Sequence, residues 1–317
     1  MTGARPTALI LVLLLMGSAT IGIRDNMPDN LDEDVPSRKT FSINEYYNGT
    51  ESLEGDSLRQ TLNQIISNHS SLQYHELWGA LRQSDADPNN QSNVTLLYTL
   101  NSIDGNLTCG DGLACFSDTW SRHHLWPRSK GFFGANSEKS AGTDLHAIRA
   151  SDNTVSSFRG DRDFGFVTHH NDWEQSDCAS CYWNHGFWEP HNVVKGDIAR
   201  SIFYMELRYS GFGHEPNLSL PSNHLEIENA SAYMTGVCDL YQWTIIDPID
   251  SFERNRNNVV HSLQGNRNPF IDLPELTKDL WSNTCDGDQD GDGWSDLEEG
   301  HCGSDPADAT DYPLLQN

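Results

Sequence analysis

Residues 121–129 read SRHHLWPRS, two adjacent histidines in front of a Trp-Pro step. Packing seldom needs two neighbouring imidazoles. In an extended chain successive side chains point to opposite sides, so His123 and His124 are expected to meet different surroundings. One imidazole can hold a divalent metal while its neighbour takes a proton from water. A ring with a pKa near ~6.5 suits both tasks at neutral pH. Hydrolysis of a phosphodiester calls for that combination: a base for the attacking water and a cation on the phosphoryl and leaving oxygens. Two surface or packing histidines are the competing reading of the pair taken alone.

Charge sharpens the choice. The 317 residues carry a formal net charge of −26, which at first argues against a polyanionic partner. The distribution is uneven, however. Residues 283–317 hold ten carboxylates and neither Lys nor Arg, whereas residues 122–162 hold seven Lys or Arg against four acids. The basic stretch begins at the histidine pair and suits an anionic substrate; a solvated loop of mixed charge is the plainer alternative.

The chain opens with MTGARPTALILVLLLMGSATIGI, in which Arg5 precedes an apolar run from Ala8 to Met16 and the small residues Gly17, Ser18 and Ala19. Residues 1–23 therefore read as a secretory signal peptide, with an uncleaved anchor as the alternative. The mature chain is expected to be secreted, extracellular or periplasmic, without a membrane partner and monomeric. Residues 24–40, polar and acidic with two prolines, read as a linker. Seven cysteines fit an oxidising compartment. Cys109 and Cys115, Cys178 and Cys181, and Cys285 and Cys302 are each close enough to close a small loop, leaving Cys238 buried or free. The CASC of residues 178–181 is also half of a metal-site pattern, but no second CxxC completes it.

Between these ends, residues 41–282 show helical and extended patterns. SLRQTLNQIISNH (57–69) places Leu58, Leu62, Ile65 and Ile66 on one helical face, and YHELWGALRQ (74–83) repeats the spacing with Leu77, Trp78 and Leu81. NVTLLYTL (93–100) is expected to be a strand. TDLHAIRASDNTVSSFRG (143–160) reads as a short extended piece followed by a helix. KGDIARSIFYMELRYSG (195–211) is too apolar for a surface helix, so Ile198, Ala199, Ile202, Phe203 and Leu207 should face the core. A last helical region runs through SFERNRNNVVHSL (251–263).

The acidic tail, residues 283–317, contains DQDGDGWSDLEE (288–299), which has the spacing of a calcium loop. Asp288, Asp290 and Asp292 take positions 1, 3 and 5, Gly293 makes the turn, and Trp294 offers a carbonyl. Asp296 sits at position 9 and Glu299 closes the loop, implying Ca²⁺. The following GHCGSDPADATDYP cannot continue as an exit helix, so the tail is similar to thrombospondin type 3 calcium repeats rather than to a sensor hand. A disordered acidic tail is the competing reading.

Several blocks, in order, carry a wider resemblance: YYNGTESLEGDSLRQTLNQIISNH, LWGALRQSDADPNNQSNVTLLYT, SRHHLWPRS, TDLHAIRASDNTVSSFRG, FWEPHNVVKGDIARSIFYMELRY and QGNRNPFIDLPEL. Together they resemble the bacterial endonuclease I family, exported sequence-nonspecific nucleases of the His-Me finger (ββα-metal) type. The resemblance runs from about Tyr46 to Trp281. It implies an α+β fold, helix-rich, built around a β-hairpin and helix that grip one divalent ion.

By that resemblance the general base falls on His124. The preceding position, normally a glutamate that binds the metal, is His123, and the asparagine of the following helix is replaced by Ser156. A His-His pair with one ligand and one base is similar to colicin-type HNH nucleases. Imidazole in place of carboxylate shifts the preferred ion from Mg²⁺ towards Zn²⁺, Ni²⁺ or Mn²⁺. Asp152, one helical turn before Ser156, is a further candidate ligand. Arg149, Arg159 and Arg122 are candidates to clamp phosphates. His146 and the QGNRNPF segment (264–270) read as bracing and turn chemistry. The implied function is a metal-dependent endonuclease acting on DNA, and on RNA as well, leaving 5′-phosphate ends. A family member that binds nucleic acid without cutting it, and a calcium-dependent extracellular interaction protein, are the competing readings.

Overall fold

The computed structural model describes residues 42–110, 112, 114–131, 133, 141–167, 177–178, 180–184, 186–211, 215–221, 235–287, 295, 299, 304 and 308–311. The expected signal peptide and linker, Cys302, and the expected calcium ligands Asp288, Asp290, Asp292, Trp294 and Asp296 lie outside these residues. Glu299 is described and buried.

A short helix α1 (Ile43–Tyr46) starts the described chain, its first turn capped by Ser42, whose Oγ accepts from the Glu45 amide. Helix α2 (Gly55–Ser67) buries Leu58, Leu62 and Ile66, spaced four apart along one stripe. Helix α3 (Leu77–Ser84) follows and buries Leu77, Trp78 and Leu81. Strands β1 (Ala86–Asp87), β2 (Asn90–Thr95) and β3 (Ser102–Asp104) form an antiparallel sheet in the order β1-β2-β3. The strand expected over 93–100 thus begins earlier and stops at Thr95. Beyond it the chain turns: Leu100 has φ 59°, and the Leu97 amide donates to the Ala150 carbonyl at 2.9 Å. That turn carries Tyr98 against the next sheet.

Strand β4 (Trp120–His124), helix α4 (Arg128–Gly131), strand β5 (Ile148–Asp152) and helix α5 (Asn153–Arg159) come next. Strands β4 and β5 pair antiparallel, and α5 packs on both. Strands β6 (Asp163–Phe164), β7 (Tyr182–Trp183) and β8 (Phe187–Glu189) form a small mixed sheet in the order β6-β8-β7. The remainder is helical: α6 (Lys195–Arg208), α7 (Val237–Ile246), α8 (Ser251–Gln264), α9 (Pro269–Asp272) and α10 (Glu275–Cys285). The fold class is α+β, as expected.

Helix α6 is buried on almost every side, which its apolar sequence requires and its charged residues would forbid unless paired. Arg200 meets that condition: its Nε and Nη2 donate to the two carboxylate oxygens of Glu253 on α8, both at 2.7 Å. A second cluster, with Leu77, Trp78, Leu81, Trp120, Ile148 and Val260, packs α3 and α8 beneath the β4–β5 pair. Among the described residues no helix is long and apolar enough to cross a membrane.

Disulfides join Cys109 to Cys115 and Cys178 to Cys181. The expected Cys285–Cys302 pair is corrected, because Cys285 is bonded to Cys238. Cys238 opens α7 and Cys285 ends α10, and packing of these helices brings the two Cα atoms to 5.1 Å. A loop closure spanning 47 residues outcompetes the short one because tertiary packing, not sequence distance, sets the geometry.

Candidate active site

The register of β4 against β5 fixes where the two histidines go. His124 lies opposite Ile148 and His123 opposite Arg149, while Trp120 and Asp152 meet at the far end. Neighbours on a strand face opposite ways, so the pair divides between two environments. His123 turns to the Tyr98 turn: its Nε2 and the Tyr98 hydroxyl are 2.8 Å apart, with the rings edge to face. His124 turns to the other side, where its Nε2 lies 2.9 Å from the Gly142 carbonyl oxygen and its ring lies alongside Tyr74.

The Gly142 contact decides the tautomer of His124. A carbonyl oxygen only accepts, so Nε2 carries the hydrogen and Nδ1 keeps its lone pair. Burial, and then the positive charges of Arg128 and Arg122, push the His124 pKa down to about 4 against the opposing pull of the Gly142 bond. His124 is therefore a neutral ring with an accepting Nδ1 at neutral pH. Burial likewise holds His123 well below the usual histidine range, with Arg159 and His124 adding to the effect.

Both histidines line one hollow of about 380 Å³, with Arg122, Arg128, Ser129, Ser156 and Asp161 among its walls. Two larger hollows, of about 520 Å³ and about 470 Å³, lie away from the histidines. Arg122 is held rigidly at this rim. Its guanidinium sits 3.8 Å from the Tyr74 ring centre and 4.1 Å from that of Trp78, and donates to the Tyr74 carbonyl at 2.6 Å. Such sandwiching orients the cation.

Among the described residues no group of three His, Cys, Asp or Glu side chains is placed to hold a divalent ion. The hollow nevertheless offers His123 and the hydroxyl of Ser156, a buried oxygen with no hydrogen-bond partner. An orphaned buried hydroxyl facing a polar hollow is an unmet demand that an ion or its water satisfies. Few protein ligands, with water and phosphate oxygens completing the shell, is an ordinary arrangement for such ions. If His123 bonds a cation through one nitrogen, the Tyr98 oxygen is the acceptor for the other, a second contact that fixes ring and tautomer.

Three sequence expectations are corrected. Asp152 is not a fellow ligand on the helix face: it is the N-cap of α5, its Oδ1 accepting from the amides of Thr154 and Val155 at 2.8 and 3.0 Å. It also sits at the opposite end of β5 from the residue facing His124. Arg149 does not face the hollow; it is buried between Asp85 (2.7 Å) and Asp197 (3.1 Å). Arg159 is fully buried and donates to the backbone carbonyls of His124 and Leu125 at 3.2 and 3.0 Å. Arg149 thus serves two buried carboxylates and Arg159 serves two backbone carbonyls through Nη1 and Nη2. His146 is buried and its Nε2 meets the Asn266 carbonyl, so it braces as expected.

Comparison with known proteins matches the endonuclease I family model over residues 54–275. The chain belongs to the endonuclease I family. It is thus a nuclease, a hydrolase of phosphodiester bonds. An extracellular ribonuclease of Bacillus subtilis (strain 168) is 40% identical over 248 residues, covering 78% of this chain and 82% of the relative. An extracellular ribonuclease of Bacillus amyloliquefaciens is 38% identical over 237 residues, covering 74% and 78%. Within this endonuclease I chain, sequence reasoning missed Tyr98, the Gly142 carbonyl, Tyr74 and Asp161. A tyrosine inside an apolar run carries no mark of a site, and a backbone carbonyl has no sequence signature. Arg128, in the quoted SRHHLWPRS, was legible as part of the basic island.

Proposed function

We propose that this chain is an exported, divalent-ion-dependent endonuclease that cuts DNA and RNA without sequence preference, with His124 as general base. The observation that carries the reading is the Nε2–H···O contact to Gly142, which presents Nδ1 as the acceptor in a basic hollow. His124 Nδ1 takes a proton from water as the water oxygen bonds phosphorus. The P–O3′ bond breaks, the leaving oxygen gains a proton from solvent, and 5′-phosphate and 3′-hydroxyl ends result. The Gly142 carbonyl keeps the resulting imidazolium oriented. Arg122 and Arg128 attract the phosphodiester backbone, contacts that carry no base information. His123 and Ser156 would hold the ion, which when bound supplies positive charge to the phosphoryl oxygens.

RNA as substrate and an extracellular location are supported by the names of the two Bacillus relatives, and the disulfides agree with export. The test is incubation of the purified protein with plasmid and with RNA across Mg²⁺, Mn²⁺, Ni²⁺ and Zn²⁺, with EDTA as control. Cleavage should need an ion and vanish in His124→Ala while the circular dichroism spectrum is kept. Undiminished cleavage by His124→Ala removes the assigned base. Binding without cleavage under every ion favours the non-cutting reading, for which replacement of the family's usual Glu and Asn by His123 and Ser156 is the motive.

A further inference from the structure

The carbonyl that orients His124 lies in a short segment, and one buried carboxylate holds that segment in place. Residues 141–143 and 145–147 form two single 3₁₀ turns joined at Asp144. Gly142, whose oxygen receives His124 Nε2–H, is two residues before this junction. Asp144 is 1% exposed and accepts four hydrogen bonds. Its Oδ1 takes the His146 amide at 3.0 Å and Gln264 Nε2 at 2.8 Å. Its Oδ2 takes the hydroxyls of Tyr204 at 2.7 Å and Tyr209 at 2.9 Å.

The donors come from the rigid part of the fold. Tyr204 belongs to α6, the most buried helix, and Tyr209 is its C-cap; Gln264 ends α8. Gln264 is itself locked, its Oε1 accepting from the Leu145 amide at 3.0 Å and its Nε2 also reaching Asn266 Oδ1 at 2.8 Å. Asn266 in turn donates to the Tyr204 hydroxyl at 2.7 Å and to the Ile66 carbonyl at 2.8 Å. Every polar group named here has a partner, the condition under which a buried network rigidifies rather than destabilises.

We infer that Asp144 is a positioning residue for the nuclease reaction: through its bonds to Tyr204, Tyr209 and Gln264 it fixes the Gly142 carbonyl, and through that carbonyl the orientation and tautomer of His124. This rests on His124 being the base. Two sequence blocks 120 residues apart, TDLH and QGNRNPF, thereby serve one atom of the active site. The carboxylate is suited to the task. Burial alone would raise its pKa, but the facing His69 and His146 and the donors Gln264 and Tyr204 hold it down at about 2, so it stays ionised. Burial raises Tyr204 and Tyr209 well above the usual phenol range, so both remain donors.

The experiment is a double-mutant cycle on the full chain, with Asp144→Asn and His124→Ala made singly and together. Asp144→Asn should lower kcat by roughly 10²-fold, the cost of misplacing a catalytic group by about an ångström. KM should not move, and the His124 ring nitrogens should show the Nδ1–H form in ¹⁵N NMR. In the His124→Ala background, Asp144→Asn should have no further effect on the residual rate. An equal loss in both backgrounds, or unchanged kcat in folded Asp144→Asn, overturns the inference. An active His124→Ala protein would instead sink the assignment of the base. Should Asp144→Asn not fold, Tyr209→Phe, which keeps the ring and removes one donor, is taken through the same cycle and judged by the same two outcomes.

Discussion

The guanidinium of Arg159, completely buried, donates to the backbone carbonyl of His124 at 3.2 Å and to that of Leu125 at 3.0 Å. The last residue of α5 thereby pins the end of β4 at His124. Arg159→Ala would leave two buried carbonyls unsatisfied, at about 1–3 kcal/mol each. A loss of several degrees in Tm is expected, with KM for nucleic acid unchanged in the folded variant. Arg159→Lys should recover little, since one ammonium cannot span both carbonyls. A raised KM with undiminished Tm would show contact with substrate instead.

Arg149 and Arg122 should behave in opposite ways. Arg149→Ala removes charge-assisted hydrogen bonds from two buried carboxylates, leaving Asp85 to Arg256 and Asp197 to Arg200, and is expected to cost about 1–3 kcal/mol in urea unfolding. Arg122→Ala, at the rim of the hollow, should weaken nucleic-acid binding across all sequences and flatten the salt dependence by about one counterion. Binding titrations at several salt concentrations check both. An unaltered slope for Arg122→Ala removes it from the interface.

His146 gives a pH test. Burial holds its folded pKa at about 4, against Asp144's opposing pull, whereas the unfolded value is near ~6.5. Between these values the unfolded chain binds the proton and the folded chain does not. Stability contributed by the neutral ring is thus present above pH 6.5 and lost as pH falls towards 4, by up to roughly 3 kcal/mol. The stability gap between the natural protein and His146→Gln should therefore narrow over that window. Chemical unfolding at pH 7 and pH 4.5 measures it; a constant gap would mean that His146 keeps an ordinary pKa.

Restoring the family's usual side chains should restore a preference for a hard cation. The double change His123→Glu with Ser156→Asn places two oxygen donors at the hollow and is expected to tighten Mg²⁺ binding by tenfold or more. Calorimetric titration with Mg²⁺ and Mn²⁺ is the measurement. Equal Mg²⁺ affinity in both proteins would show that these positions do not hold the ion.

The link between α7 and α10 carries a simple expectation. Replacing Cys238 and Cys285 by Ser removes the closure of a 47-residue loop and should cost about 2–4 kcal/mol. A differential scan of the double variant under oxidising conditions reads this directly. No change in Tm would place the stabilising packing elsewhere.

Sequence alone determined what local pattern can encode. The stripes of α2, α3 and α6 are set by apolar spacing, and each forms close to where that spacing ends. In TDLHAIRASDNTVSSFRG the extended piece is β5 from Ile148 and the helix after it is α5, while residues 145–147 before the strand form a 3₁₀ turn, and the histidine pair was legible because two imidazoles have few structural uses. Strand alternation then dictated that His123 and His124 part company. What faces each of them was not encoded locally. Tyr98 reaches His123 from the turn that follows the end of β2 at Thr95, and Gly142 reaches His124 through a segment anchored 120 residues away. The arginines show the same limit. A guanidinium in a basic stretch reads as a phosphate clamp, yet burial beside Asp85 and Asp197, or beneath two carbonyls, makes Arg149 and Arg159 part of the scaffold. Cys238 found Cys285 by helix packing. Sequence fixes periodicity and residue chemistry, whereas burial and long-range pairing decide which of those groups face the substrate and which hold the fold.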